Sequence, residues 1–424
     1  MRHRSIRSTM LYPVVCLAAS LALVAAPLQA QEQKADQSQE RYQISTPRLQ
    51  MLGQAMHGQV AEKKLAGIAT LVWQDDQVIY RDQAGYRNLE EQQPLTDDTI
   101  YKIFSLTKPI TGTALLMLYE EGHFQLDDPV GKYLPELANL QVEIAGGPEG
   151  ELRTEPTAQP VTIRQLMTHT AGFTYGRFSE SQTDRLYVEN DLQNIDSTLA
   201  DMVTKLGSIP LRQQPGTVWH YSVSVDIQAR LVEVLSGMAF DEFLQKRIFT
   251  PLGMVDTGFH VAEKQQDRLA VSYTPTEEGL KPFPNGPWLS KPAFLNGGGG
   301  LVSTMDDYLR FARMLLNEGE LEGVRILKPE TVQMMRSNQL PEGVAGPNWA
   351  PGNMFGLNVA VVSDSEKAQY LPEGTFWWWG IHGPWAWIDP ANQIIVLGMM
   401  QNTDYRHSRV VHATVSNILY RPAP

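Results

Sequence analysis

An apolar run over residues 11–26 lies behind the basic positions Arg2, Arg4 and Arg7. Leu28-Gln29-Ala30 follows as a small-residue cleavage site, and residues 31–39 turn sharply polar. This order predicts a secretory signal over residues 1–30, too short and wrongly flanked for a membrane anchor. A lipid anchor on Cys16 is the competing reading, and the bulky Val14-Val15 before it argues against that. Residues 31–45 read as a flexible lead-in. From there the pattern is that of a folded domain: an amphipathic helix over 47–64, then strands over 67–73 and 77–82 joined at Asp75-Asp76.

Residues 99–104 alternate β-branched and aromatic side chains and predict a further strand, which feeds an apolar-periodic helix. Ile110, Ala114, Met117 and Leu118 fall on one face of that helix, and Gly122 stops it. Residues 126–296 change character. Short helices over 162–169, 226–236 and 240–248 alternate with loops. Gly297-Gly298-Gly299-Gly300 marks the return, and Thr304 with Asp307 forms a capping box for a helix over 305–316. Strands over 355–362, 376–381, 385–388 and 394–400 and a helix over 408–420 complete the pattern. The fold class expected is α/β (α+β): an antiparallel sheet flanked by helices, built from both chain ends, 46–125 and 297–424. A mainly helical part, 126–296, is inserted between them. No internal repeat is visible.

Composition narrows this reading. The formal charge is −12, and cleavage after residue 30 removes three arginines and leaves −15. Nucleic acid and anionic membranes are therefore unsuitable partners. The sole cysteine lies in the apolar run, so the mature chain is held by burial alone, without disulfides. The expected setting is outside the bacterial cytoplasm, periplasmic or secreted. His407 and His412 lack metal-ligand spacing, and His-Glu-x-x-His is absent. The glycine run lacks the following Lys-Ser/Thr of a phosphate loop, and its expected use is close packing of the following helix on the helix after residue 105. No Gly-x-Ser-x-Gly elbow occurs.

The candidate chemistry sits at the strand-to-helix junction. Ser105 opens the helix and Lys108 returns to the same face three residues on, while Pro109 is harmless in the first turn. No other lysine in the chain has a serine three residues before it. A lysine desolvated enough to lose its charge can accept the serine proton. Tyr221, on the loop after Gln214-Pro215-Gly216-Thr217, is the candidate third member, a phenolate base stabilised by Lys108. Its bland alternative is a loop tyrosine packed on Trp219. The stretch from Trp377 to Pro390 is rich in tryptophan and glycine, and a glycine-bearing strand edge can supply main-chain N–H groups to an oxyanion. The alternative there is an aromatic core cluster. His169 reads as a structural hydrogen-bonding residue.

Six ordered stretches now resemble one family. Leu126-Asp127-Asp128-Pro129-Val130, residues 162–173, residues 215–222, Pro251-Leu252-Gly253-Met254, residues 297–306 and residues 378–390 look like those of the penicillin-recognising serine hydrolases. That group comprises class C β-lactamases, D-alanyl-D-alanine carboxypeptidases and family VIII carboxylesterases. The resemblance implies Ser105 as nucleophile, Lys108 and Tyr221 as its activating pair, a covalent acyl-enzyme and no cofactor. Two departures bear on substrate. Class C enzymes carry Tyr-x-Asn where this chain has Tyr221-Ser222-Val223, and Lys-Thr-Gly where Trp378-Trp379-Gly380 aligns. The esterase branch, with Trp-Gly-Gly there, is the nearer likeness. On this register the oxyanion and substrate-binding positions are Ser105, Trp378, Gly380, Ile381 and His382. Ile381 N–H is the second oxyanion donor, and His382 is the nearest stand-in for the missing lysine. A rival register places His382-Gly383-Pro384 at the motif and Trp385 N–H in the hole. The implied activity is hydrolysis of short-chain or small apolar esters. The alternatives are amide hydrolysis, as a β-lactamase or a D-amino-acid peptidase, and a non-catalytic binding relative. The partner expected is a small ester or amide, and oligomeric state is not addressed by the sequence.

Overall fold

A computed structural model describes residues 41–144, 152–177 and 181–422, so the expected signal segment lies outside the described residues. Residues 43–424 form one compact unit. At its centre is an eight-stranded sheet in the order Asn353–Phe355, Ala360–Val362, Phe376–Trp379, Trp385–Asp389, Ile394–Met400, Gly67–Gln74, Gln77–Asn88, Gln93–Pro94. Every neighbouring pair is antiparallel. The two chain ends meet mid-sheet, where Ile68 pairs with Met400 and the register runs to Gln74 opposite Ile394. All residues of both strands are buried, which requires cover on both faces. Helices Thr46–Ala61 and Tyr405–Tyr420 pack together, and helix Met305–Leu316 packs against Ile394–Met400.

The structure departs from the sequence pattern in four places near the site. The strand expected over 99–104 is only Tyr101–Lys102, paired with Val302–Ser303 in a separate two-stranded ribbon. The strand expected over 355–362 is two short strands with a turn at Gly356–Val359. The strand from Phe376 ends at Trp379, because Gly380 and Gly383 close a turn through a Gly383 N–H to Gly380 carbonyl bond of 2.7 Å. Finally, helix Thr107–Glu120 is not one-faced: residues 107–118 are buried without exception. A helix covered all round is a core helix, and burial of Ile110, Leu115, Leu116 and Leu118 stabilises the fold by roughly 1.5–3 kcal/mol per side chain.

The glycine run also has another use than expected. A Cβ on Gly297 would meet Ala229 Cβ at 2.6 Å and Val225 carbonyl at 2.8 Å. The run is thus pressed between helix Thr107–Glu120 and helix Ser224–Ser236, rather than serving helix Met305–Leu316. Thr111 Oγ1 donates to Gly297 carbonyl at 2.7 Å and fastens it there. This wedge carries main-chain polar groups into the interior beside Lys108.

Candidate active site

Ser105 owes its place to an abrupt change of backbone direction. Ile103 N–H donates to Leu301 carbonyl at 3.0 Å, ending the ribbon. Phe104 then adopts φ 45°, a left-handed value rare for a bulky side chain. A short 3-10 turn, Phe104–Leu106, leads into the buried helix. The turn is fixed from outside: Leu301 N–H donates to Thr107 Oγ1 at 3.2 Å, and Tyr308 OH donates to Leu106 carbonyl at 3.1 Å. Ser105 is left half-buried at the N-terminal end of the helix, the positive end of its dipole.

Ser105 Oγ lies 2.8 Å from Tyr221 OH and 3.2 Å from Lys108 Nζ. The structure therefore brings together all three residues singled out from the sequence. Lys108 has no exposed surface. Its Nζ donates to Tyr175 OH at 3.0 Å and to Gly298 carbonyl, and lies 4.6 Å from the centre of the Tyr221 ring. Asp226, also fully buried, accepts from Gly298 N–H at 3.1 Å through Oδ1, and its Oδ2 has no hydrogen-bond partner among the described residues. A Cβ on Gly298 would sit 2.9 Å from Tyr175 OH, 3.2 Å from Asp226 Oδ2 and 3.3 Å from Lys108 Nζ, so a side chain there would press on all three polar groups.

The electrostatics follow from burial. Loss of solvation pulls the Lys108 amine down, and the Asp226 charge partly restores it. Burial pushes the Asp226 carboxyl up against the pull of Lys108 and of the Gly298 and Gly297 N–H groups. The Tyr221 phenol is held well above its ordinary range, again chiefly by burial. Burial thus disfavours both an anion at Tyr221, where the sequence suggested a phenolate, and a cation at Lys108. Tyr221 also stacks on Trp219, with centroids 6.1 Å apart and planes at 18°, so the packing role coexists with the chemical one. His169 lies beneath it, buried, its ring 4.9 Å from Tyr221 and its Nδ1 3.2 Å from Ser222 Oγ.

Residues of the third motif fall on different sides of this centre. Trp378 is buried with its ring 5.6 Å from that of Tyr221. Gly380 lies against the nucleophile turn: a Cβ there would meet Ile103 carbonyl at 2.5 Å and Phe104 Cβ at 3.1 Å. Ile381 is 46% exposed. Among the described residues, the main-chain N–H groups of Ser105 and Ile381 have no main-chain acceptor. Trp385, the donor of the rival register, is fully buried, paired with Trp379 and Gly398 in the sheet, with its ring 4.7 Å from that of His412. His382 is not a substitute for a cationic lysine. It is buried, its Nδ1 is 2.8 Å from Ser272 Oγ, and burial with the nearby Lys102 charge drives its pKa down to about 3. Val223 is packed in the core and presents no polar group.

Sequence reasoning missed Tyr175 and Asp226. Tyr175 lies just beyond the stretch 162–173. Asp226 had a visible signal, a lone carboxylate between Val225 and Ile227 at the start of an apolar helix. No group of three or more His, Cys, Asp or Glu residues among the described residues has the arrangement of a metal site.

A family model described as Beta-lactamase matches residues 52–419. Esterase EstB of Burkholderia gladioli is 32% identical over 368 residues, covering 81% of this chain and 88% of its own. Protein Rv1367c of Mycobacterium tuberculosis is 37% identical over 352 residues, 80% of this chain and 86% of its own. Among solved structures, EstCE1, a hydrolase with promiscuous acyltransferase activity, superposes with TM-score 0.75 at 25% identity, covering 88% of this chain and 98% of its own.

Proposed function

The chain belongs to the beta-lactamase family and is a serine hydrolase, and we propose that it cleaves short-chain or small apolar esters through an acyl-enzyme on Ser105. The observation that carries this reading is the position of Ser105 Oγ between Lys108 Nζ and Tyr221 OH, at 3.2 and 2.8 Å. Ser105 Oγ attacks the ester carbonyl carbon while its proton passes to the neutral Lys108 amine. The main-chain N–H groups of Ser105 and Ile381 hold the resulting oxyanion. Collapse breaks the bond to the alcohol oxygen, which takes the phenolic proton of Tyr221, and the Lys108 ammonium returns a proton to the tyrosine. Water then attacks the acyl-enzyme by the same route in reverse and releases the acid.

Ester preference rests on what the walls lack. Neither the buried Val223 nor the indole of Trp378 offers a charge or an amide to a substrate carboxylate or peptide. Losing a charge-assisted hydrogen bond is worth about 1.5–3 kcal/mol, one to two decades in rate when felt in the transition state. The esterase named for EstB supports the same substrate class.

Mass spectrometry after a slow ester or phosphonate should place the adduct on the Ser105 peptide. An adduct elsewhere with Ser105→Ala fully active would sink the assignment. On one preparation, kcat/KM for a p-nitrophenyl ester should exceed that for a chromogenic cephalosporin by at least roughly tenfold, and equal values would favour β-lactam hydrolysis instead. We read residues 1–30 as an export signal, so the exported protein should begin at Gln31. No helix among the described residues is long and apolar enough to cross a membrane.

A further inference from the structure

Phe104, next to Ser105 in the chain, belongs to an aromatic group whose ring contacts are distinct from those around Tyr221. The half-buried Phe104 ring packs on His382, with centroids 4.1 Å apart, and edge-on to Trp288 at 5.3 Å. Phe283 meets His382 edge-on at 5.5 Å. Phe283 is 44% exposed and Ile381 46%, so apolar surface continues from the nucleophile turn to solvent. The loop that carries Phe283 and Trp288 is tied down. Asn285 Oδ1 accepts from the buried Lys102 ammonium at 2.6 Å, Trp288 Nε1 donates to Gly300 carbonyl at 3.0 Å, and Val261 N–H donates to Trp288 carbonyl at 2.8 Å. Single exposed apolar residues need no explanation, whereas a fixed aromatic wall contiguous with a nucleophile does.

We infer that this wall seats the acyl part of the substrate and that it selects acyl groups bearing an apolar ring. The inference rests on the ester-hydrolase reading above. Its direction comes from the proton donor: the leaving oxygen must reach Tyr221 OH, which puts the alcohol on the Tyr221 side. The acyl group then extends the other way, over Phe104 toward Trp288, Phe283 and Ile381. His382, neutral and wedged between two phenyl rings, is part of that apolar surface. Lys102 touches no substrate; it is a positioning residue that holds Asn285 and, through the loop, Trp288.

The test uses two ester series on the full-length mature protein. The first varies the acyl group on a constant p-nitrophenol, phenylacetate against acetate. The second varies the alcohol on a constant acetyl group, benzyl against ethyl. Phe283→Ala and Ile381→Ala, both at exposed positions, should each lower the phenylacetate-to-acetate ratio of kcat/KM by about tenfold, the size expected for removing apolar contact in a specificity pocket. The benzyl-to-ethyl ratio should stay within about twofold, because that group lies on the other flank. Asn285→Ala, which frees the loop without deleting the wall, should lower the first ratio by a smaller factor and raise KM more than it lowers kcat. An unchanged first ratio overturns the inference, and a fall in the second ratio alone places the wall under the alcohol and overturns it too. If the wild-type protein hydrolyses neither series and Ser105 is not labelled, the ester-hydrolase reading itself has failed.

Discussion

Lys102 and Lys108 stand three residues to either side of Ser105, and neither has exposed surface. Burial lowers both amines, Lys102 to about 7. Their surroundings differ. Lys102 faces one neutral amide, Asn285, and the Trp288 ring at 5.7 Å. Lys108 faces a serine hydroxyl, a tyrosine hydroxyl, a carbonyl and the field of a buried carboxylate. On the reading proposed above, desolvation alone does not make a base: the amine must also touch the hydroxyl it is to deprotonate, and a nearby charge must hold its protonated form during turnover.

The comparison breaks most sharply at Lys108. Lys108→Met should reduce turnover of any ester by roughly 10⁴-fold or more, as for Ser105→Ala. Lys102→Met should leave acetate turnover within roughly tenfold, because that amine reaches no reacting atom. Equal losses at both lysines, measured as kcat on p-nitrophenyl acetate with folding checked by circular dichroism, would erase the distinction. Next in size is Tyr221→Phe, expected to cost about 10²–10⁴-fold in kcat. Combined with Lys108→Met it should add little to the lysine loss, since the two handle one proton, and full additivity would mean they act separately.

Asp226→Asn sharpens the role assigned to charge. The carboxylate now raises the Lys108 pKa, so its removal leaves burial unopposed and lowers that pKa further. The acid limb of kcat/KM should move to lower pH, by about one unit, while the peak value falls. The groups facing this pair include Tyr175 OH, Ser105 Oγ, Tyr221, the Gly298 main chain and His169, whose own pKa burial and the Lys108 charge hold well below the ordinary value. A profile that keeps its acid limb in place would assign the limb to another group.

The smallest effect is on stability. The folded pKa of Lys102 lies near 7, below its ordinary value of 10.5. The unfolded chain therefore binds that proton more tightly, and folding carries a cost that is full below pH 7 and fades as pH climbs toward the unfolded value. Lys102→Met should raise stability by a few kcal/mol, order of magnitude, below pH 7, with the gain shrinking between neutral and strongly alkaline pH. Urea unfolding across that range measures it, and a gain independent of pH would mean that packing, not charge, is responsible.

Much of this was legible before any coordinates. The short helix expected over 162–169 is found at Ile163–Met167, and helix Met305–Leu316 matches its expected bounds. Both follow from local chemistry. Ser105, Lys108 and Tyr221 emerged from spacing and motif order. What stayed hidden depends on contacts between distant segments. Thr304 caps its helix, yet Asp307 does not reciprocate, because its carboxylate accepts from Asp256 N–H and Thr257 Oγ1 instead. The crowding at Gly298 comes from Tyr175, Asp226 and Lys108, which sit 123, 72 and 190 residues away in sequence. Likewise the strand expected before Ser105 failed because its pairing partner is a ribbon from residue 302, not the main sheet.

The mid-sheet seam between Gly67–Gln74 and Ile394–Met400 sets a schedule for how the molecule comes into being. Contacts at such sequence separation must close an enormous loop before they return any energy. A chain emerging from the ribosome cannot complete its central strand pair until residues near position 400 have appeared. Until then Gly67–Gln74, an apolar strand, has its hairpin neighbour on one side and an open edge on the other, the kind of edge that recruits another chain. Folding should accordingly be slow and late, and yield in refolding should fall steeply with protein concentration. A nascent chain halted before residue 394 would make a good client for any chaperone that binds unpaired strands.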